Sequence, residues 1–85
     1  MMNPNLPEEL PMAETIGQRA ARLIDGRSCD TKLPVTTLME MLGTNRQVYY
    51  NWRSGKEDPS AKLLAKMALA GYDVLWVLTG MEKRG

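Results

Sequence analysis

The sequence predicts an all-α fold, a compact domain of five helices, on three observations. Apolar residues recur at helical spacing along the chain. Residues that cap or end helices separate these segments. The 85 residues, 44% of them hydrophobic, suffice for one small core and leave no room for a second domain. We therefore expect an N-terminal arm over residues 1–12, one domain over residues 13–80 and a tail over residues 81–85.

The first predicted helix runs from Ala13 to Asp25. Its apolar residues share one face at helical spacing, and they are Ile16, Ala20, Leu23 and Ile24. Gly26 is expected to end this helix. Ser28, Asp30 and Pro34 mark the segment from Arg27 to Val35 as a loop.

The segment from Thr36 to Trp52 predicts two short helices joined by a tight turn. Leu38 and Leu42 are expected on the inner side of the first of these helices. Gly43 is expected to adopt the left-handed backbone conformation that closes the turn. Asn45 then caps the second helix.

The second of these helices, Arg46 to Arg53, is predicted to bury Val48, Tyr49 and Trp52. Its outward side chains, which we predict to contact DNA bases, are Arg46, Gln47, Tyr50 and Asn51. Arginine can bind O6 and N7 of guanine with two hydrogen bonds, and glutamine or asparagine can bind N6 and N7 of adenine. A tyrosine could meet a thymine methyl group or a phosphate. On these residues alone, an ordinary solvated helix surface is the alternative interpretation.

Two further helices are predicted near the C-terminus, with Ser60 and Asp73 as their N-caps. The apolar face of the fourth comprises Leu63, Leu64, Met67 and Ala68, and Gly71 ends it. The fifth has five consecutive apolar residues from Val74 to Leu78, more than a short surface helix needs. Part of it should pack on the core and the rest on another subunit. The predicted dimer interface comprises Trp76, Val77 and Met81, although Trp76 could equally be a core residue.

The order of these segments carries a family resemblance. The central pair of helices is followed by the link WxxGKxxPS, by LLAKMALAG and by YDVLWVLTG, which contains WVLTG. From about Glu14 to Gly80 this order resembles the lambda-repressor-like helix-turn-helix domains (Cro/CI, XRE type) of phage and prophage regulators. The resemblance implies a sequence-specific transcriptional regulator that binds a two-fold double-stranded DNA operator as a homodimer. Half-sites would lie about one helical turn apart, or a multiple of it.

Several polar and basic residues are candidates for contacts with DNA phosphates. These candidates are Thr44, Asn45, Arg53, Lys56, Arg19, Arg22 and Lys32. Lys56 lies in the link after the recognition helix, where a backbone amide could join it on a phosphate. Arg19 and Arg22 lie one turn apart on the first helix, and simple solvation is the alternative for both.

Three positions depart from the family pattern: Met39, Thr44, where an aliphatic residue is usual, and Tyr49, where valine or isoleucine is usual. Met39 follows the first buried leucine, where the family commonly has alanine. Its bulk is expected to separate the two helices unless the side chain swings away. Met39, Met41 and Met67 are together expected to fill gaps in a core without phenylalanine.

Composition argues against several functional classes. With no histidine and one cysteine, Cys29, the chain cannot form an intrachain disulfide or the usual Cys/His zinc site. None of the usual nucleophile or acid–base sets can be assembled, so we expect no enzyme, cofactor or metal. Without a signal peptide or a spanning segment, we expect no membrane contact and a cytoplasmic protein, in the bacterial nucleoid or a phage-infected host.

A protein-interaction module is the alternative function. A helix-turn-helix scaffold can also hold a protein partner, as an antitoxin holds its toxin or an adaptor its target. The acidic, proline-rich N-terminal arm and the apolar fifth helix are the features that such a module would use. The partner of such a module would be another protein, an antirepressor or a toxin. DNA binding is favoured by the basic segment from Thr44 to Lys56, which holds Arg46, Arg53 and Lys56 and no acidic residue.

Overall fold

The computed structural model describes residues 14–81, which form five α-helices and no strand. The helices are α1 (Ile16–Thr31), α2 (Val35–Met41), α3 (Arg46–Arg53), α4 (Ala61–Leu69) and α5 (Val74–Thr79). This confirms the prediction of an all-α domain of five helices for that part of the chain. The predicted arm, Ala13 at the predicted start of the first helix, and residues 82–85 of the predicted tail lie outside the described residues.

The N-terminus of α1 is capped twice. Thr15 and Gln18 form a capping box, in which each side chain accepts a hydrogen bond from the backbone N–H of the other residue. The carboxylate of Asp58, in the link between α3 and α4, accepts a further bond from the N–H of Gly17 at 2.9 Å. The second cap joins α1 to a segment more than forty residues away in the chain.

Helix α1 does not end at Gly26, so that prediction is wrong. It continues to Thr31, and Lys32 ends it in the left-handed conformation with φ of 66°. Packing beyond Gly26 explains the extension, because the guanidinium of Arg27 lies 3.8 Å from the ring centre of Tyr72. The predicted loop from Arg27 to Val35 is reduced to residues 32–34.

The core lies where α1 packs against α3, α5 and α2. Its largest fully buried side chains are Trp52, Ile24, Met39, Met67 and Val77. Met39 is completely buried, so the core accommodates its volume. Met41 is 71% exposed, and its predicted place in the core is wrong.

Tyr49 anchors α3 to α1. Its side chain is buried, and its hydroxyl donates a hydrogen bond to the carboxylate of Asp25. Burial, followed by the hydrogen bond and the charge of Asp25, raises the pKa of Tyr49 to about 12. The neutral phenol is therefore the form that the folded state prefers.

This preference predicts a loss of stability at alkaline pH. In the unfolded chain Tyr49 ionises near its ordinary pKa of 10, whereas in the folded chain it keeps its proton until about pH 12. The contribution of Tyr49 to the free energy of unfolding is complete below pH 10. It falls by about 2 kcal/mol as the pH rises to 12. Urea unfolding across this range should show a steeper fall for the wild type than for Tyr49→Phe. Equal pH slopes for the two proteins would contradict the assignment.

Candidate nucleic-acid interface

The turn between α2 and α3 has the predicted geometry. Gly43 has φ of +81°, in the left-handed region that disfavours side chains. The N–H of Thr44 donates to the carbonyl of Met39 at 3.0 Å, which closes the turn onto α2. The side chain of Asn45 accepts from the N–H of Val48 at 3.2 Å and caps α3. These contacts set where α3 begins relative to α2.

Helix α3 is amphipathic, with one face buried and the other polar. Tyr49 and Trp52 are buried against the rest of the domain, as predicted, and Val48 is half-buried. The predicted base-contacting residues lie on the outer side: Arg46, Gln47 and Tyr50 are exposed and Asn51 is half-buried. The structure thus brings these four side chains onto one accessible helix surface.

A chain of hydrogen bonds crosses this surface. The Nε2 of Gln47 donates to Oδ1 of Asn51 at 3.1 Å, and Nδ2 of Asn51 donates to Oε1 of Glu57 at 3.1 Å. Glu57 lies in the link after α3 and was not among the residues predicted from the sequence. No local sequence pattern identifies Glu57, because the path of the link determines which residue its side chain contacts. We call these three residues the Gln47–Asn51–Glu57 relay.

The predicted phosphate contacts divide into two groups by location. Thr44 and Asn45 precede α3, while Arg53 and Lys56 lie at and after its C-terminal end. Both basic side chains are exposed, and neither forms a salt bridge within residues 14–81. These four residues therefore bracket the outer surface of α3. Lys32, at the end of α1, is also exposed.

Arg19 and Arg22 have partners within the fold. Arg19 donates through Nε to the carbonyl of Val77 at 2.8 Å and through Nη1 to the carbonyl of Glu14 at 2.9 Å, so it joins α1 to α5. Arg22 pairs with the carboxylate of Glu14 at 2.6 Å and lies 5.1 Å from the ring centre of Trp76. Its hydrogen bond to Glu14 lowers the pKa of that carboxyl. Their contact with phosphates remains a prediction.

The predicted dimer interface on α5 requires one correction. Val77 is completely buried in the core of its own chain, so its side chain is removed from that interface. Trp76 is half-buried, whereas Met81 is 70% exposed. Leu75 and Leu78, which were not among the residues predicted for that interface, are 61% and 46% exposed. The exposed apolar patch on and just after α5 comprises Leu75, Leu78 and Met81.

No protein-family model, curated protein or solved structure shows significant similarity to the chain. Within residues 14–81, every helix is too short or too polar to cross a lipid bilayer. The geometry and chemistry of the surface are therefore the basis for assigning a function.

Proposed function

We propose that the chain is a sequence-specific, double-stranded DNA-binding transcriptional regulator with a lambda-repressor-like fold. The observation that carries this proposal is α3. Its inner face is locked into the core by Tyr49 and Trp52, while its outer face presents Arg46, Gln47 and Tyr50 to solvent. A rigid helix with long hydrogen-bonding side chains on one accessible face suits the major groove.

The position of each side chain along α3 suggests its role. Arg46 and Gln47 lie in the first turn, which usually meets base edges in helix-turn-helix proteins. Arg46 suits guanine, and Gln47 suits adenine. Arg53 lies at the other end of α3 and Lys56 after it, where they would bind phosphates and set the helix in register. Tyr50 lies between the two groups and would contact a thymine methyl or a phosphate.

The charge distribution supports selective rather than general DNA binding. The formal charge of the whole chain is only +1, too low to bind nucleic acid by charge alone. Three basic side chains, Arg46, Arg53 and Lys56, flank or lie on α3 with no acid between positions 44 and 56. Affinity should therefore fall with rising salt, with a slope set by a small number of phosphate contacts.

The apolar patch of Leu75, Leu78 and Met81 would supply the dimer interface. Residues 74–81 contain no charged side chain, so two copies can meet on a symmetry axis without placing like charges together. A homodimer would present two copies of α3 to a two-fold operator. Occupying such an operator would block polymerase, so the regulator would be a phage or prophage repressor of the Cro/CI type.

Selection of binding sites from random duplex DNA at near-physiological salt tests this function. The wild type should enrich a two-fold motif, and Arg46→Ala should fail to enrich it. With the selected site, Lys56→Ala should weaken binding to all sequences alike and reduce the salt slope by about one. Lys62→Ala, which removes the same charge from the exposed face of α4, is its matched control and should leave both unchanged.

A protein-interaction module is the second candidate function, because large apolar side chains are exposed. Leu69 is 90% exposed at the end of α4, and Leu75 is 61% exposed on α5. An antitoxin or adaptor would cover such residues with its partner. This candidate predicts that the wild type enriches no motif and binds DNA weakly and without base preference. A two-fold motif lost in Arg46→Ala would exclude it as the main function.

A further inference from the structure

More than one contact holds Glu57 against the outer surface of α3. The backbone carbonyl of Asn51 accepts hydrogen bonds from the N–H of Lys56 at 2.8 Å and of Glu57 at 3.3 Å. It also accepts one from the hydroxyl of Ser54 at 3.2 Å. The link thus folds back onto the end of α3. This arrangement places the Glu57 carboxylate within 3.1 Å of the side-chain nitrogen of Asn51.

The carboxylate of Glu57 determines the orientation of the side-chain amide of Asn51. An ionised carboxylate can only accept hydrogen bonds, so Asn51 must turn Nδ2 toward Glu57. Its oxygen then faces Gln47, one turn earlier on α3. Gln47 must donate to that oxygen, which uses one of its two N–H groups. A neutral side chain at position 57 would allow both amides to turn over with no change of shape.

The orientation of Gln47 has a consequence for base recognition. Its free groups are the oxygen Oε1, which accepts, and one remaining N–H, which donates. Adenine offers a donor at N6 and an acceptor at N7 in the major groove, so both free groups of Gln47 are matched. Guanine offers only the acceptors O6 and N7, so it would need two N–H groups from Gln47. One of those groups is already bonded to Asn51.

We propose that Glu57 is a positioning residue that makes Gln47 select adenine over guanine, acting through Asn51. This inference rests on the proposed DNA-binding function and adds a determinant of specificity to it. Glu57 itself need not touch DNA. Its carboxylate orients the relay, and the relay determines which hydrogen-bonding groups Gln47 offers to a base.

Glu57→Gln separates orientation from shape, since it keeps the side-chain length and removes only the charge. The loss of negative charge near DNA will itself raise affinity for every sequence. Glu40→Gln controls for this effect, because Glu40 is an exposed acidic residue on α2 that forms no salt bridge within residues 14–81. Dissociation constants should be measured on the selected site and on variants with each adenine changed to guanine.

The wild type should prefer adenine at one position of each half-site by about tenfold or more. Glu57→Gln should reduce that preference to within about threefold, whereas Glu40→Gln should retain it. Side-chain amide NMR signals of Gln47 and Asn51 should also both shift in Glu57→Gln without DNA, and circular dichroism should show an intact fold. If Glu57→Gln selects a site and still prefers adenine as strongly as the wild type, this inference is overturned and the proposed function stands. A wild type that selects no site would overturn the proposed function and this inference together.

Discussion

Gly17→Ala is expected to destabilise the domain by about 3 kcal/mol, because α1 touches the link after α3 at this residue. A Cβ at position 17 would lie 2.3 Å from the carbonyl oxygen of Glu57 and 3.1 Å from the Cα of Trp52. Both neighbours are backbone atoms, so no side-chain rotation can make room. The helix and the link must move apart, which weakens the bond from the Gly17 N–H to Asp58.

Gly26→Ala is the matched control for this substitution. Gly26 also lies inside α1, but a Cβ there would meet no atom within 4 Å. Alanine should therefore stabilise the helix by about 0.5–1 kcal/mol through its higher helix propensity. Urea unfolding followed by circular dichroism measures both changes. Equal midpoints for Gly17→Ala and the wild type would show that the close approach of α1 to the link is wrong.

Leu75→Asp is expected to convert a dimer into a monomer and to weaken operator binding roughly 100-fold or more, since the two copies of α3 would then bind separately. Leu75 is 61% exposed, so a charge there costs little in the single chain. The same charge would be buried in an interface formed by Leu75, Leu78 and Met81, where it has no partner. Sedimentation equilibrium gives the oligomeric state, and titration of the selected DNA gives the affinity.

Two control variants separate association from folding. Leu69→Asp places the same charge on an exposed residue of α4 and should leave the dimer intact. Val77→Ala removes volume from the core, so it should lower the free energy of unfolding by about 2 kcal/mol while the folded protein still dimerises. A dimeric Leu75→Asp protein, or a dimer broken by Leu69→Asp, would place the interface elsewhere.

The local elements of the fold could be predicted from the sequence because their causes are local. A cap is a bond between residues three apart, as from the Val48 N–H to Asn45 or from the Leu63 N–H to Ser60. The turn at Gly43 requires a backbone conformation that glycine adopts without strain. The buried and exposed faces of α3 follow from helical spacing alone.

Contacts between distant segments were decided only by the tertiary structure. Glycine in the middle of a helix and glycine at its end look alike in sequence, and it is the packing of Arg27 on Tyr72 that accompanies the continuation of α1 past Gly26. An apolar run such as Val74–Leu78 does not reveal which side chain faces the core. The packing of α5 on α1 buries Val77.

The candidate site divides in the same way. Spacing along a single helix was enough to place Arg46, Gln47, Tyr50 and Asn51 on one accessible surface. Whether a polar side chain is free or already hydrogen-bonded depends on every segment that the fold brings near it. The tertiary structure alone therefore gave Arg19 its carbonyl partner on α5 and placed Glu57 against Asn51, because hydrogen bonds between segments depend on the path of the whole chain.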